Sequence, residues 1–214
     1  MTVIAVDGPA ASGKGTVSRM LANELGFAYL DTGKLYRAVG LAVVTAGGDP
    51  SDPADAEPAA RSLDPAGLDD PELKSDAAAS AASKVAAIDG VRAALLQFQR
   101  DFAARPPNSE PGAVLDGRDI GTVVCPDADV KIFVTASVEI RAERRHKELL
   151  ERGDTSIYAR VLQDLQERDA RDSARSVAPM KPADDAFELD TTSLSIDQAF
   201  EAALTLTKAT LAKR

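Results

Sequence analysis

Residues 3–16, VIAVDGPAASGKGT, constrain this chain more than any other stretch. A short β-branched run ends in Asp7 and Gly8, and Gly8, Gly13 and Lys14 then follow the spacing G-x-x-x-x-G-K. Between a strand and a helix this spacing makes a phosphate cradle. Glycines let backbone N–H groups curl around anionic oxygens, the helix N-terminus adds the positive end of its dipole, and the lysine brings a mobile cation to the phosphoryl group. Gly8, Pro9, Ala10, Ala11, Ser12, Gly13, Lys14, Gly15 and Thr16 are therefore the candidate ATP-binding residues, with Lys14 also catalytic. One slot is unusual. Gly15 stands where a Ser or Thr commonly holds a magnesium ion, and Thr16 follows one place late.

The pattern around the loop extends into an alternation of strands and helices. Residues 14–25 carry Val17, Leu21 and Leu25 at helical spacing, and Gly26 sits where a helix terminator belongs. FAYLDT reads as a second strand and GKLYRAVGLAVVTAGG as a second helix; connections this short predict a parallel sheet with right-handed crossovers. Residues 48–71, rich in Pro, Asp and Ala, read as an irregular excursion with one short helix. Helical periodicity returns after residue 75, and Asp89-Gly90 predicts a turn that divides it into two helices. AVLDGRD, VKIFVTA and AFELDTT read as the third, fourth and fifth strands, the last two joined by a long charged helical stretch over residues 137–175. The chain closes on a helix that Ser195 is placed to cap.

Composition narrows the partners. The formal net charge of −9 argues against a general binder of nucleic acid or anionic membranes, so basic residues are to be read locally. A single cysteine, Cys125, excludes an internal disulfide and any multi-cysteine zinc site, and it reads as a packing residue. No apolar run approaches the roughly 20 residues of a membrane span, and the chain starts on a strand pattern without a charged leader; the expectation is a soluble cytoplasmic protein. The one histidine, His146, reads as a surface residue.

Transfer of a phosphoryl group between two anions requires cations at several separate places, and the chain has them at the ends of its expected elements. Arg37 follows the second strand and Arg118 the third, both at the carboxyl edge where open α/β sheets bind ligands. Arg141, Arg144 and Arg145 share one helix face, and Arg168, Asp172 and Arg175 share another. Asp116, closing the third strand, is placed to approach the water shell of a magnesium ion.

The order GKGT is common in nucleoside monophosphate kinases. Together with YLDTGKLYRAVGLA, DGRDIGTVV and QERDARDSARSVAP, it closely resembles the bacterial cytidylate kinase family in a short-insert form. The resemblance covers most of the chain. It implies an α/β P-loop nucleoside monophosphate kinase fold, a central five-stranded parallel sheet flanked by helices, that transfers the γ-phosphoryl group of ATP to CMP or dCMP with Mg2+. By this likeness Thr32, Ser83, Arg92 and Asp119 face the cytosine, the Asp119 carboxylate accepting from the exocyclic amine and opposing the carbonyl of uracil. Arg37, Arg118 and Arg175 hold the acceptor phosphate, Arg168 and Asp172 the ribose, and Arg144 and Arg145 belong to a lid over ATP. Catalytic roles fall to Lys14, Arg118, Arg144 and Arg145.

The resulting expectation is a monomer with a single kinase domain over 1–214: a core of 1–47, 113–140 and 176–214, an acceptor-side segment of 48–104, and a lid of about 141–160. Ser83 and Arg92 fall on opposite faces of any continuous helix, so they can serve one base only if the helix breaks between them. SLDPAGLDDPELKS has no alternating pattern, so the strands of the longer family insert are expected to be missing here. Two other readings stay open: a P-loop kinase for UMP or another small acceptor, and a nucleotide-gated interaction protein.

Overall fold

The computed structural model describes residues 1–213. Two compact units divide the chain, one made of Met1–Leu30 with everything from Pro106 onward, the other of Asp31–Arg105.

The first unit is built on a five-stranded sheet of β1 (Thr2–Asp7), β2 (Ala28–Asp31), β3 (Gly112–Gly117), β4 (Val130–Thr135) and β5 (Phe187–Asp190), in the order β2-β3-β1-β4-β5. Parallel pairing puts Val6 beside Asp116 and Asp7 beside Gly117 on one side, and Asp7 beside Phe133 on the other. Parallel strands covered on both faces read as continuous apolar runs, and Ile4, Ala5, Val6, Ala113, Val114 and Leu115 are indeed sealed from solvent. Helix α1 (Lys14–Leu25) lays Val17 and Leu21 on this layer, and α8 (Ile196–Leu211) adds Ala199, Ala203 and Leu204 to the same core. Gly26 ends α1 in the left-handed conformation, and Ser195 with Gln198 forms a reciprocal capping box on α8. Strand β5 lies at the sheet edge with Phe187 half-exposed.

The second unit is helical. It comprises α2 (Thr32–Thr45), α3 (Pro53–Arg61), two short 3₁₀ turns, α4 (Asp76–Val85) and α5 (Asp89–Ala104), around a core of Leu35, Val39, Val43, Val85, Val91 and Leu95. Residues 32–105 contain no strand. The break between α4 and α5 lies at residues 86–88, and Asp89 and Gly90 open α5 rather than form the turn. A Cβ on Gly90 would come 2.2 Å from Glu57 Oε1 on α3, so the Glu57 side chain uses the space that this glycine leaves.

The charged stretch after β4 is two helices, α6 (Val138–Glu151) and α7 (Tyr158–Ser173). Gly153 interrupts it in the left-handed region, φ +83°, with Gly153 N–H donating to Leu150 O and Asp154 N–H to Leu149 O. These bonds satisfy the last carbonyls of α6 and turn the chain into α7. No helix of the described residues is long and apolar enough to cross a membrane.

Candidate active site

The phosphate loop leaves the carboxyl end of β1, the middle strand of the sheet. Its backbone is unusual in three places. Gly8 takes φ +146°, and a Cβ there would lie 2.0 Å from Val134 O, so no side chain fits. Ala11 and Gly13 also have positive φ, and α1 begins directly after Gly13. Lys14 Nζ reaches back to Pro9 O at 3.5 Å, which keeps the ammonium over the loop.

This shape is braced by residues distant in sequence. Thr191, buried just beyond β5, donates through Oγ1 to Ser12 O at 2.9 Å, and its own N–H bonds Thr135 O at 2.8 Å. Arg144 donates to Thr191 O at 2.6 Å, to Thr191 Oγ1 at 3.0 Å and to Ser12 O at 3.5 Å. Arg141, also buried, donates to Ala136 O and Ala10 O and pairs with Asp169 of α7 at 2.6 Å. The basic face expected on α6 therefore divides in function: Arg141 and Arg144 reach the loop's carbonyls, while Arg145 pairs with Glu148 at 2.9 Å along its own helix. His146 Nδ1 lies 2.8 Å from Ser156 Oγ, and Cys125 is partly exposed.

Asp116, buried at the end of β3, accepts from Tyr29 Oη at 2.6 Å. The unusual Gly15 faces this pair, since a Cβ at position 15 would stand 3.3 Å from Asp116 Oδ2 and 3.7 Å from Tyr29 Oη. A carboxylate thus occupies the space beside the loop into which a side chain at position 15 would grow.

A second polar centre gathers at the base of α7. The Asp172 carboxylate accepts from Arg118 Nε at 3.1 Å and from Arg175 Nη2, and Arg168 Nε lies 3.9 Å away. Burial works against its charge, yet Arg118, Arg175 and Arg168 together outweigh that penalty and hold the carboxyl below its ordinary value. Arg118 also donates to Gly117 O at 3.1 Å. Beside it, Asp119 is buried and followed by a five-residue π-helical turn, Ile120–Val124. The N–H groups of Ile120 and Gly121 both point at Asp7, at 2.7 and 2.8 Å. Burial pushes the Asp7 carboxyl up to about 7, with Asp119 adding to the rise, against the pull of the two amides and of Arg118.

In the second unit, Thr32, Ser83 and Arg92 are all withdrawn from solvent. Arg92 Nη1 donates to Ala86 O at 3.3 Å, and its guanidinium stacks over Tyr36 at 5.5 Å. The helix break is what lets Arg92 turn back on the end of α4. Arg37 follows Tyr36 on α2, with its Nε buried.

The sequence pattern of cytidylate kinases matches residues 4–209. The chain belongs to the cytidylate kinase family. It is 66% identical over 203 residues to the cytidylate kinase of Paramagnetospirillum magneticum, covering 95% of this chain and 96% of that one. To the cytidylate kinase of Rhodospirillum rubrum it is 63% identical, covering 94% and 95%. Among solved structures, an uncharacterized protein from Eubacterium ventriosum superimposes with a TM-score of 0.53 at 13% identity, over 98% of this chain and 99% of that one, a likeness of fold alone.

Within this cytidylate kinase fold, sequence reasoning passed over Asp7, Tyr29, Tyr36 and Thr191. Asp7 carried a signal: a carboxylate immediately before the first loop glycine, directly after the apolar run Val3–Val6, has to be buried and so has to find donors. Thr191 carried none, because its partners lie far away along the chain and only the fold brings them together.

Proposed function

We propose that the chain transfers the γ-phosphoryl group of ATP to CMP or dCMP, giving ADP and CDP or dCDP. The observation that carries this reading is the arginine cluster on Asp172, Arg118 with Arg168 and Arg175, in the same unit as the phosphate loop. A protein that only bound ATP would need the loop and no second cationic centre. The family membership points to the same acceptor class.

In the reaction an oxygen of the acceptor's phosphate forms a bond to the γ-phosphorus while the bond from that phosphorus to the β,γ-bridging oxygen breaks, and ADP leaves. The acceptor is already an anionic nucleophile, so no covalent enzyme intermediate and no general base of special pKa are required. Positioning and charge neutralisation carry the catalysis. Lys14 and the loop amides hold the donor phosphates. Arg118, Arg175 and Arg37 hold the acceptor phosphate, with Asp172 orienting the first two. Arg168 and Asp172 serve the ribose, and Thr32, Ser83, Arg92 and Asp119 read the base. Residues 141–160 act as a lid through Arg144 and Arg145, Arg144 anchoring the helix to the loop it covers.

The residues at the loop fit a magnesium ion that arrives with the nucleotide. Asp116 is a hard oxygen donor beside Gly15, oriented by Tyr29 and able to accept from coordinated water. When bound, such an ion neutralises charge on the ATP phosphates.

The test is direct. Purified protein is incubated with ATP, magnesium and each nucleoside monophosphate in turn, and ADP release is measured. CMP and dCMP are expected to turn over at least tenfold more efficiently than UMP, AMP or GMP; equal turnover of UMP, or ATP binding without any acceptor-dependent ADP, overturns the reading.

A further inference from the structure

We propose that Asp7 is a positioning residue for the turn that carries Arg118 and Asp119, so that cytosine selection depends on a side chain that touches no substrate. This rests on the reading of Asp119 as a base contact.

The geometry is specific. Asp7 ends β1, and its backbone pairs with Gly117, the residue immediately before Arg118. Its two carboxylate oxygens then divide between consecutive amides, Oδ1 accepting from Ile120 and Oδ2 from Gly121. The residues between these anchor points are Arg118 and Asp119 themselves. Backbone pairing on one side and a two-armed carboxylate on the other therefore bracket both residues. Gly121 lies close against the carboxylate: a Cβ there would touch Asp7 Oδ2 at 3.4 Å and press on the Lys131 stem, 3.2 Å from Cδ. The next residue along the chain, Gly8, opens the phosphate loop, so one residue fixes the acceptor-reading turn from the root of the donor loop.

Only an ionised carboxylate offers a lone pair to each amide without competition. The NH₂ of an asparagine sets a donor against one of the two N–H groups, and a proton leaves its oxygen a weaker, neutral acceptor, so either change loosens one arm. The charged groups facing Asp7 are Asp119 and Arg118 in the turn it holds, and Lys131 from β4, whose stem flanks Gly121 while its ammonium is tied to Asp185 at 2.8 Å. Burial lifts the Asp7 carboxyl to about 7. The selectivity is thus expected to rise with pH through that region.

The experiment measures kcat/KM for CMP and for UMP, at saturating ATP, between pH 6 and 8.5, for the wild type, Asp7→Asn and Asp119→Ala. Taking the ratio of the two acceptors removes the titration of their shared phosphate. Expected for Asp7→Asn are a KM for CMP raised at least tenfold, a KM for ATP within threefold, a CMP-to-UMP ratio reduced at least fivefold, and loss of the wild type's pH dependence of that ratio. A purely structural role would lower both acceptors together and leave the ratio intact. If Asp119→Ala loses cytosine preference while Asp7→Asn keeps the wild-type ratio, the positioning role is overturned; if Asp119→Ala itself keeps the preference, the base-contact reading fails first and takes this proposal with it. Should Asp7→Asn fail to fold, Asp7→Glu keeps a carboxylate at this place but shifts its oxygens by one methylene off the two amides, with the same fall in ratio expected and an unchanged ratio counting against the proposal.

Discussion

Arg118 and Asp172 come from different parts of the fold, one in the turn after β3 and the other in the last turn of α7, and meet at 3.1 Å with both side chains largely withdrawn from water. Asp172 is the shared anion of three arginines, so it keeps them from repelling one another and aims them at the same time. An arginine that must grip a phosphate is best held by a carboxylate that leaves part of its five-donor fork to the ligand.

Asp172→Asn is therefore expected to cost about 3–5 kcal/mol of stability at pH 7, the range for removing one partner from a buried ion pair, and to raise the KM for CMP. The folded carboxyl is held below its ordinary 3.8, so its contribution is present above that value and is lost as pH falls through the folded value. Denaturant unfolding should show the full difference between variant and wild type at pH 5 and 7, shrinking below pH 3.8. A difference that grows on acidification would contradict the assignment.

Gly8→Ala should be among the most damaging single-methyl additions available. The new carbon would lie 2.0 Å from the Val134 carbonyl at a backbone angle that L-residues rarely adopt, so β1 and β4 must separate or the loop must change shape. ATP affinity, read by equilibrium titration, is expected to fall at least a hundredfold. Gly47, also at positive φ but with nothing within 4 Å of its added carbon, is the control: Gly47→Ala should leave ATP affinity within twofold.

Thr191→Val keeps the shape and removes the hydroxyl that Ser12 O and Arg144 share. Leaving a buried carbonyl short of its donor costs about 1–3 kcal/mol, and the phosphate loop loses a brace without losing any group that faces ATP. The expected result is a KM for ATP raised about tenfold with the KM for CMP unchanged; equal effects on both would place Thr191 in general stability instead.

Strand, loop and helix could be read from sequence around residues 3–25 because every local signal there agrees: β-branched residues, glycines at fixed spacing, an apolar stripe and a terminating Gly26. Ser195 was legible for the same reason. The division of α6 from α7 was hidden by two long runs of charged helix formers, and a single glycine, Gly153, decides it. In the site, the arginines were visible as residues but not as partners. Arg144 and Arg145 are neighbours on one helix, yet the first reaches Ser12 and Thr191 while the second pairs locally, and only the packing of α6 against the loop separates them. Asp7 and Thr191 were missed because their partners are more than a hundred and more than forty residues away, distances over which periodicity carries no information.

Asp7 gives a pH dependence of stability opposite in sign to that of Asp172. Its carboxyl titrates near 3.8 in the unfolded chain and at about 7 when folded, so folding takes up a proton between those values. Stability from this residue is complete below the unfolded value, declines as pH rises towards 7 and is flat above it. Across pH 5 to 8 the wild type is expected to lose about 3 kcal/mol more than Asp7→Asn, at 1.36 kcal/mol for each unit of the shift that falls inside the window. Urea unfolding of both proteins at pH 5, 6, 7 and 8 reads this directly, because groups common to the two cancel in the difference. Parallel curves would mean that Asp7 stays ionised throughout, with its two amides outweighing burial; the CMP-to-UMP ratio should then be independent of pH as well.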